Sequence, residues 1–165
     1  MEEPMKDYVA EMGGAALGAR LRRLSAAIDA DASRVYASRG VRFEQRWFGV
    51  INQLALAGPL SVRQLADVLG ISHASVSETR QSLERAGLIT SEADPGDARR
   101  RVLALSPSGG ALVAQLRSLW DAFDEAARAL DAEAGGVTEA LARLEEALAR
   151  KSLFERIADS AASRT

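Results

Sequence analysis

Cysteine is absent from this 165-residue chain. That removes disulfides, thiolate metal sites, nucleophilic cysteine catalysis and cysteine redox sensing together. There is one histidine, His73, and a lone histidine without cysteine does not furnish a zinc site. Aromatic residues make up only 5% of the chain, so its core must be aliphatic. Alanine and leucine dominate, and both favour helices. No uninterrupted apolar run approaches the length of a membrane span. The amino terminus, MEEPMKDYVAEM, is acidic and lacks the positive region and apolar core of a secretory signal. These features lead to the expectation of a cytoplasmic protein with no membrane partner. No Gly-x-x-x-x-Gly-Lys phosphate loop occurs, and the glycine pairs at 13–14, 109–110 and 135–136 read as helix punctuation. His73 lies near Ser72 and Ser75, but no acid is placed to orient it, and neighbouring side chains on one helix diverge. Neither an enzyme nor a cofactor is expected.

What is present centres on residues 61–105. Ser61 and Gln64 have the spacing of a capping box. Leu65, Val68 and Leu69 then share one helical face, and small Ala66 allows a second helix to approach. Gly70 suits a left-handed helix end, Ile71 is expected to fill the corner, and Ser72 caps a new helix whose apolar stripe is Val76 and Leu83. Gly87 closes that helix. Two short helices joined by a three-residue turn containing glycine make a helix-turn-helix. Leu88 and Ile89 then begin a strand, and Arg101 to Leu105 alternate as a returning one. Asp94, Pro95, Gly96 and Asp97 have turn composition between them. A hairpin appended to a helix-turn-helix is a winged helix.

The segments LADVLGIS, SVSETRQSLERAGLI and DPGDARRRVLALSPSG resemble the core of the multiple-antibiotic-resistance regulator (MarR) family, over about residues 45 to 110. The resemblance implies a dimeric winged-helix transcription factor, usually a repressor released by a small molecule. The peroxide-sensing type within that family needs a reactive cysteine, which this chain lacks. Asp97 and Arg99 match the family's Asp-x-Arg in the wing, with Ala98 where an arginine often stands. By resemblance, Arg99 enters the minor groove and Asp97 orients it. A guanidinium is drawn to the negative potential of a narrow groove, although the pair also suits simple stiffening of the hairpin. The family also binds anionic aromatic ligands between its dimer helices and its DNA-binding lobe. Arg20, Tyr36, Trp47, Phe48 and Trp120 are the residues here that suit such a cleft; ordinary core is the alternative for the tryptophans and Phe48.

On the second helix of the pair, placing Val76 and Leu83 inward turns Ala74, Ser77, Glu78, Gln81 and Arg85 outward, with Ser75 and Ser82 on one flank. Recognition helices present their amino-terminal turns to base edges. Ser72, His73, Ser75, Ser77, Glu78 and Gln81 are therefore the expected contacts to double-stranded DNA, with Asp97, Arg99 and Arg100 in the wing. Gln81 suits adenine and Glu78 a cytosine amine, although Glu78 stands where the family often has a base and phosphates would repel it. Arg80 sits at the edge of the buried stripe, placed to pair with Glu84.

Elsewhere, Leu17, Leu21, Leu24 and Ile28 form an apolar seam on a helix from about Met12 to Ala30, and residues 1–10 read as frayed. Gly40 marks a break, and Phe43 to Ala57 reads as a second helix. Ser106 caps, and Pro107 begins, a long helix lined by Leu112, Leu116, Leu119, Trp120, Phe123, Ala127 and Leu130. Val137, Leu141, Leu144 and Leu148 continue with heptad-like spacing. These seams exceed what a small winged helix can cover, which marks an interaction surface. The expected architecture is a single, mainly helical domain over 1–165 with a two- to three-stranded wing. Residues 12–42 and 106–160 form its dimerisation region and 43–105 its DNA-binding lobe. Net charge is −2, yet seven arginines fall between Leu17 and Phe48 and the last sixty residues hold ten acids to seven bases. Those arginines suit either a DNA-facing field or a solvated surface. A winged helix that docks on a protein is the rival reading, kept open by Glu78 and the mild acidity.

Overall fold

The computed structural model describes residues 7–94 and 97–163, and for residues 94 and 97–100 the backbone only. Its elements run α1 (Tyr8–Glu11), α2 (Leu17–Ser38), α3 (Phe48–Ala57), β1 (Leu60–Ser61), α4 (Val62–Leu69), α5 (His73–Arg85), β2 (Ile89–Asp94), β3 (Asp97–Leu105), α6 (Pro107–Glu133), α7 (Val137–Arg150) and α8 (Leu153–Ala162). Two compact units divide them, Met1–Val113 and Ala114–Thr165. No helix among the described residues is long and apolar enough to cross a membrane.

In the first unit, residues 7–10 depart from the frayed expectation, and residues 1–6 lie outside the described residues. The Asp7 carboxylate accepts the amides of Val9 and Ala10 and caps the short α1. Arg23 reaches it at 2.8 Å, and that guanidinium bond holds the carboxyl below its ordinary range. A 3₁₀ turn over Gly13–Ala16 precedes α2. That helix runs eight residues beyond Ala30, because Ala32 and Tyr36 continue the seam at i+4 spacing and are buried. The leucines before them, 17, 21 and 24, and Ile28 are exposed. Gly40, at φ 66°, ends the stretch as expected. Tyr36, Phe43 and Trp47 stack as a cluster, with ring centroids 4.8 and 5.7 Å apart in turn, within the range of favourable tilted aromatic pairs.

The helix-turn-helix forms through local chemistry. Ser61 Oγ accepts the Gln64 amide at 3.2 Å while Gln64 Oε1 accepts the Ser61 amide at 2.9 Å. Gly70 takes the left-handed conformation at φ 64°, and Ser72 Oγ accepts the Ser75 amide at 3.1 Å. Leu65, Ala66, Val76 and Leu83 are buried beside Val50, Ile51 and Leu54 of α3. Two of the expected core positions are not core: Val68 and Ile71 face outward, since eight helical residues in α4 can bury only a narrow stripe.

The wing is a three-stranded antiparallel sheet in the order β1-β3-β2. Ile89 pairs with Leu105 and Ser91 with Leu103, while Leu60 and Ser61 pair with Leu103 and Val102 on the other edge. The sheet is then stitched to α6. Ser106 Oγ accepts the Gly109 amide at 3.0 Å and donates to the Gly87 carbonyl at 2.6 Å. The Ser106 amide donates to the Leu88 carbonyl at 3.0 Å. Pro107 is the first residue of α6, as expected. Gly109, by contrast, is not punctuation: it lies within the first turn of α6, and a Cβ built there would stand 2.0 Å from the Leu88 oxygen.

In the second unit, Gly135 and Gly136 both adopt φ 82° and separate α6 from α7. The Asp131 carboxylate takes the Thr138 amide and hydroxyl, each at 2.8 Å, and those bonds hold it below its ordinary range. Ser152 and Glu155 form a second capping box at the start of α8. Leu130, Val137, Leu148, Leu153, Phe154 and Ile157 are exposed.

Candidate nucleic-acid interface

Helix α5 has two faces. Val76 and Leu83 are completely buried and Thr79 nearly so. Ser72, His73, Ser75, Glu78 and Gln81 are exposed, and Ser77 is half-buried. The α5 residues expected to meet DNA are therefore accessible, Ser77 in part. Ser72 and Ser75 hold one another there, with hydroxyls 2.9 Å apart. Glu78 has no cationic partner among the described residues. The expected Arg80–Glu84 pair forms at 2.7 Å, and both side chains are half-buried.

Ser82 departs from the flank assigned to it. It is buried, and its Oγ accepts hydrogen bonds from the Trp47 indole at 3.1 Å and from Arg46 Nη2 at 3.3 Å. This small network fastens the carboxy-terminal half of α5 to the start of α3. Periodicity treats serine as a surface residue, so only the position of Trp47, 35 residues away, discloses the role. Ser82→Ala should cost about 1–3 kcal/mol in denaturant unfolding, because it strands a buried indole N–H. A double-mutant cycle with Trp47→Phe should then show coupling, and strictly additive effects would contradict the bond's importance.

In the wing, Asp97, Arg99 and Arg100 lie on β3 by backbone, and their side chains fall outside the described residues, as do Pro95 and Gly96 entirely. The residues named for a ligand cleft differ in burial. Tyr36 is buried, donating its hydroxyl to Gln45 Oε1 at 3.2 Å, and Trp47 is buried against Ser82. Arg20 is exposed and Phe48 half-buried. Trp120 belongs to the second unit, where it is half-buried. Tyr36 and Trp47 are thus core residues in this structure, the alternative already open for Trp47. Sequence reasoning missed Arg42, Arg46 and Arg85 as a group, since no spacing rule links the start of α3 to the end of α5.

A glycine-cornered helix pair with a three-stranded sheet beside it, presenting a polar helix face, defines the winged-helix class of DNA-binding proteins. The MarR family model matches residues 43–100. Over that stretch, about a third of the chain, it is similar to that family. No curated protein sequence matches it. Among solved structures it is similar to the Staphylococcus aureus MepR–DNA complex, with 21% identity and a TM-score of 0.65 over 79% of this chain and 97% of that one. It is similar also to a probable transcriptional regulator from Pseudomonas aeruginosa, with 28% identity and a TM-score of 0.59 over 78% and 96%. A third likeness is to Bordetella bronchiseptica BpsR, whose DNA binding is regulated by 6-hydroxynicotinic acid, with 22% identity and a TM-score of 0.64 over 78% and 91%.

Proposed function

We propose that the chain is a cytoplasmic repressor that binds pseudo-palindromic double-stranded DNA as a homodimer and is relieved by a small aromatic or anionic effector. Residues 43–105 form the DNA-binding lobe, and 12–42 with 106–160 form the dimerisation region. The observation that carries this reading is α5 itself: its apolar side is fully buried at Val76 and Leu83 while Ser72, His73, Ser75, Glu78 and Gln81 lie exposed together. Two such helices related by a dyad meet successive major grooves about 34 Å apart. Gln81 reads adenine, the serines read bases or phosphates, and Arg99 and Arg100 grip alongside from the wing with Asp97 orienting Arg99. The DNA in the MepR complex and the effector that regulates BpsR lend the reading its class of partner and its mode of control.

Selecting bound fragments from random duplex tests it. The expected result is enrichment of an inverted repeat, and unenriched sequence would remove the proposal. Within the same assay, Arg99→Ala should weaken binding at all sequences and reduce the salt slope by about 1. An unchanged affinity and slope would take Arg99 out of the interface. Glu78, an acid with no cationic partner among the described residues, favours one rival, a winged helix that docks on a protein. That rival predicts no salt-dependent binding to nonspecific duplex, which a DNA regulator must show.

A further inference from the structure

Helix α5 rests on its lobe through Val76 and Leu83, with Thr79 between them. Apolar contact of that kind is non-directional. It holds the helix down but sets its rotation about its own axis only loosely. Ser82, also buried, adds directional bonds, because its Oγ accepts from the Trp47 indole at 3.1 Å and from Arg46 Nη2 at 3.3 Å. Both donors are fixed from behind. The Trp47 ring meets Phe43 edge-on, with centroids 5.7 Å apart, and Arg46 Nε is held by Glu44 at 2.6 Å. Arg42 and Arg85 line the groove that borders this junction, but among the described residues Ser82 accepts from neither.

Ser82 also lies on a line of the helix that the proposed readers occupy. It follows Ser75 by seven residues, which is two turns less about 20°. One flank of α5 is therefore tied to the start of α3 in its carboxy-terminal half and exposed in its amino-terminal half. Side-chain tips ride about 5–6 Å from a helix axis, so a rotation of about 20° moves them by about 2 Å. A shift of that size breaks a bidentate bond to a base edge. It hardly alters attraction to phosphates, which is electrostatic and independent of sequence. We propose that the Trp47–Ser82–Arg46 junction is a rotational pin for α5, and that these three are positioning residues for sequence discrimination. None of them is required to touch the duplex. The pin stands on the fold alone, whereas its effect on discrimination rests on the function proposed above.

Duplex binding and nuclear magnetic resonance of the full chain test the proposal. Ser82→Ala should lower affinity for a selected duplex about tenfold, comparable with one mismatched base pair. Affinity for random duplex, and its salt slope, should stay unchanged. Trp47→Phe strands no donor and should lower the same ratio, which keeps the test open should Ser82→Ala fail to fold. Without DNA, residual dipolar couplings of the α5 amides relative to those of α3 should change in Ser82→Ala, and the Trp47 indole proton should exchange with solvent faster. Unchanged couplings would overturn the pin. Equal losses on selected and random duplex would overturn the role in discrimination and leave Ser82 a packing residue. Changed couplings with an unaltered ratio would overturn that role as well. Changed couplings in a chain that binds no duplex would uphold the pin and sink only the DNA reading.

Discussion

Gly109→Ala should lower the melting temperature by roughly 6–12 °C, while Gly110→Ala one residue later should raise it slightly. The two glycines are neighbours in the first turns of α6, yet their surroundings are opposite. A Cβ at Gly109 would sit 2.0 Å from the Leu88 oxygen and 3.0 Å from its carbonyl carbon. The obstacle is backbone, so no rotamer change relieves it. The carbonyl must move, and it is the acceptor for the Ser106 amide that starts the helix. Overpacking of this kind costs about 3 kcal/mol or more when the neighbour is rigid. At Gly110 nothing lies within 4 Å of the same Cβ, so alanine there contributes only its better helix propensity, up to about 1 kcal/mol. Differential scanning calorimetry of both variants decides the matter. Equal melting temperatures would mean that α6 does not rest on Leu88 as described.

Leu24→Asp combined with Ile28→Asp should turn a dimer into a folded monomer and weaken binding to a two-half-site duplex by about 10²-fold or more. Leu24 is 54% exposed and Ile28 58% exposed in the single chain. The substitutions therefore disturb no core contact, and the thermal transition should persist. A seam of four large aliphatic residues left in water invites a partner, and a second copy is the partner that two-fold DNA sites demand. Light scattering reads the mass and fluorescence anisotropy the affinity. A variant that remains dimeric would place the dimer interface elsewhere, and a chain already monomeric before substitution would remove the dimer from the proposed function.

The parts of the fold legible in the sequence are those made by neighbours. Ser61 with Gln64, Gly70, Ser72 and Gly87 each act within a few residues, and all four helix ends fall where they dictate. The exposed face of α5 followed from two apolar residues one stripe apart. What escaped was made by distant partners. Leu60–Ser61 becomes a strand only because Leu103 arrives beside it, and two residues carry no periodicity. Ser82 is buried because Trp47 needs an acceptor. Gly109 is required by a carbonyl from another element. Val68 and Ile71 erred the other way, since an apolar residue at the right phase stays exposed when nothing covers it. Arg42, Arg46 and Arg85 looked like separate surface charges until folding gathered them.

Strand β1 has a last consequence. Ser61 is at once the final rung of the sheet and the cap of α4, so no slack chain separates the hairpin from the helix pair. Under the proposed function, in which α5 and the wing each take one groove, the two should swing as the jaws of one rigid tool. On that reading, a signal that tilts α5 should carry the sheet with it, so that major- and minor-groove grip are lost in one step rather than in succession.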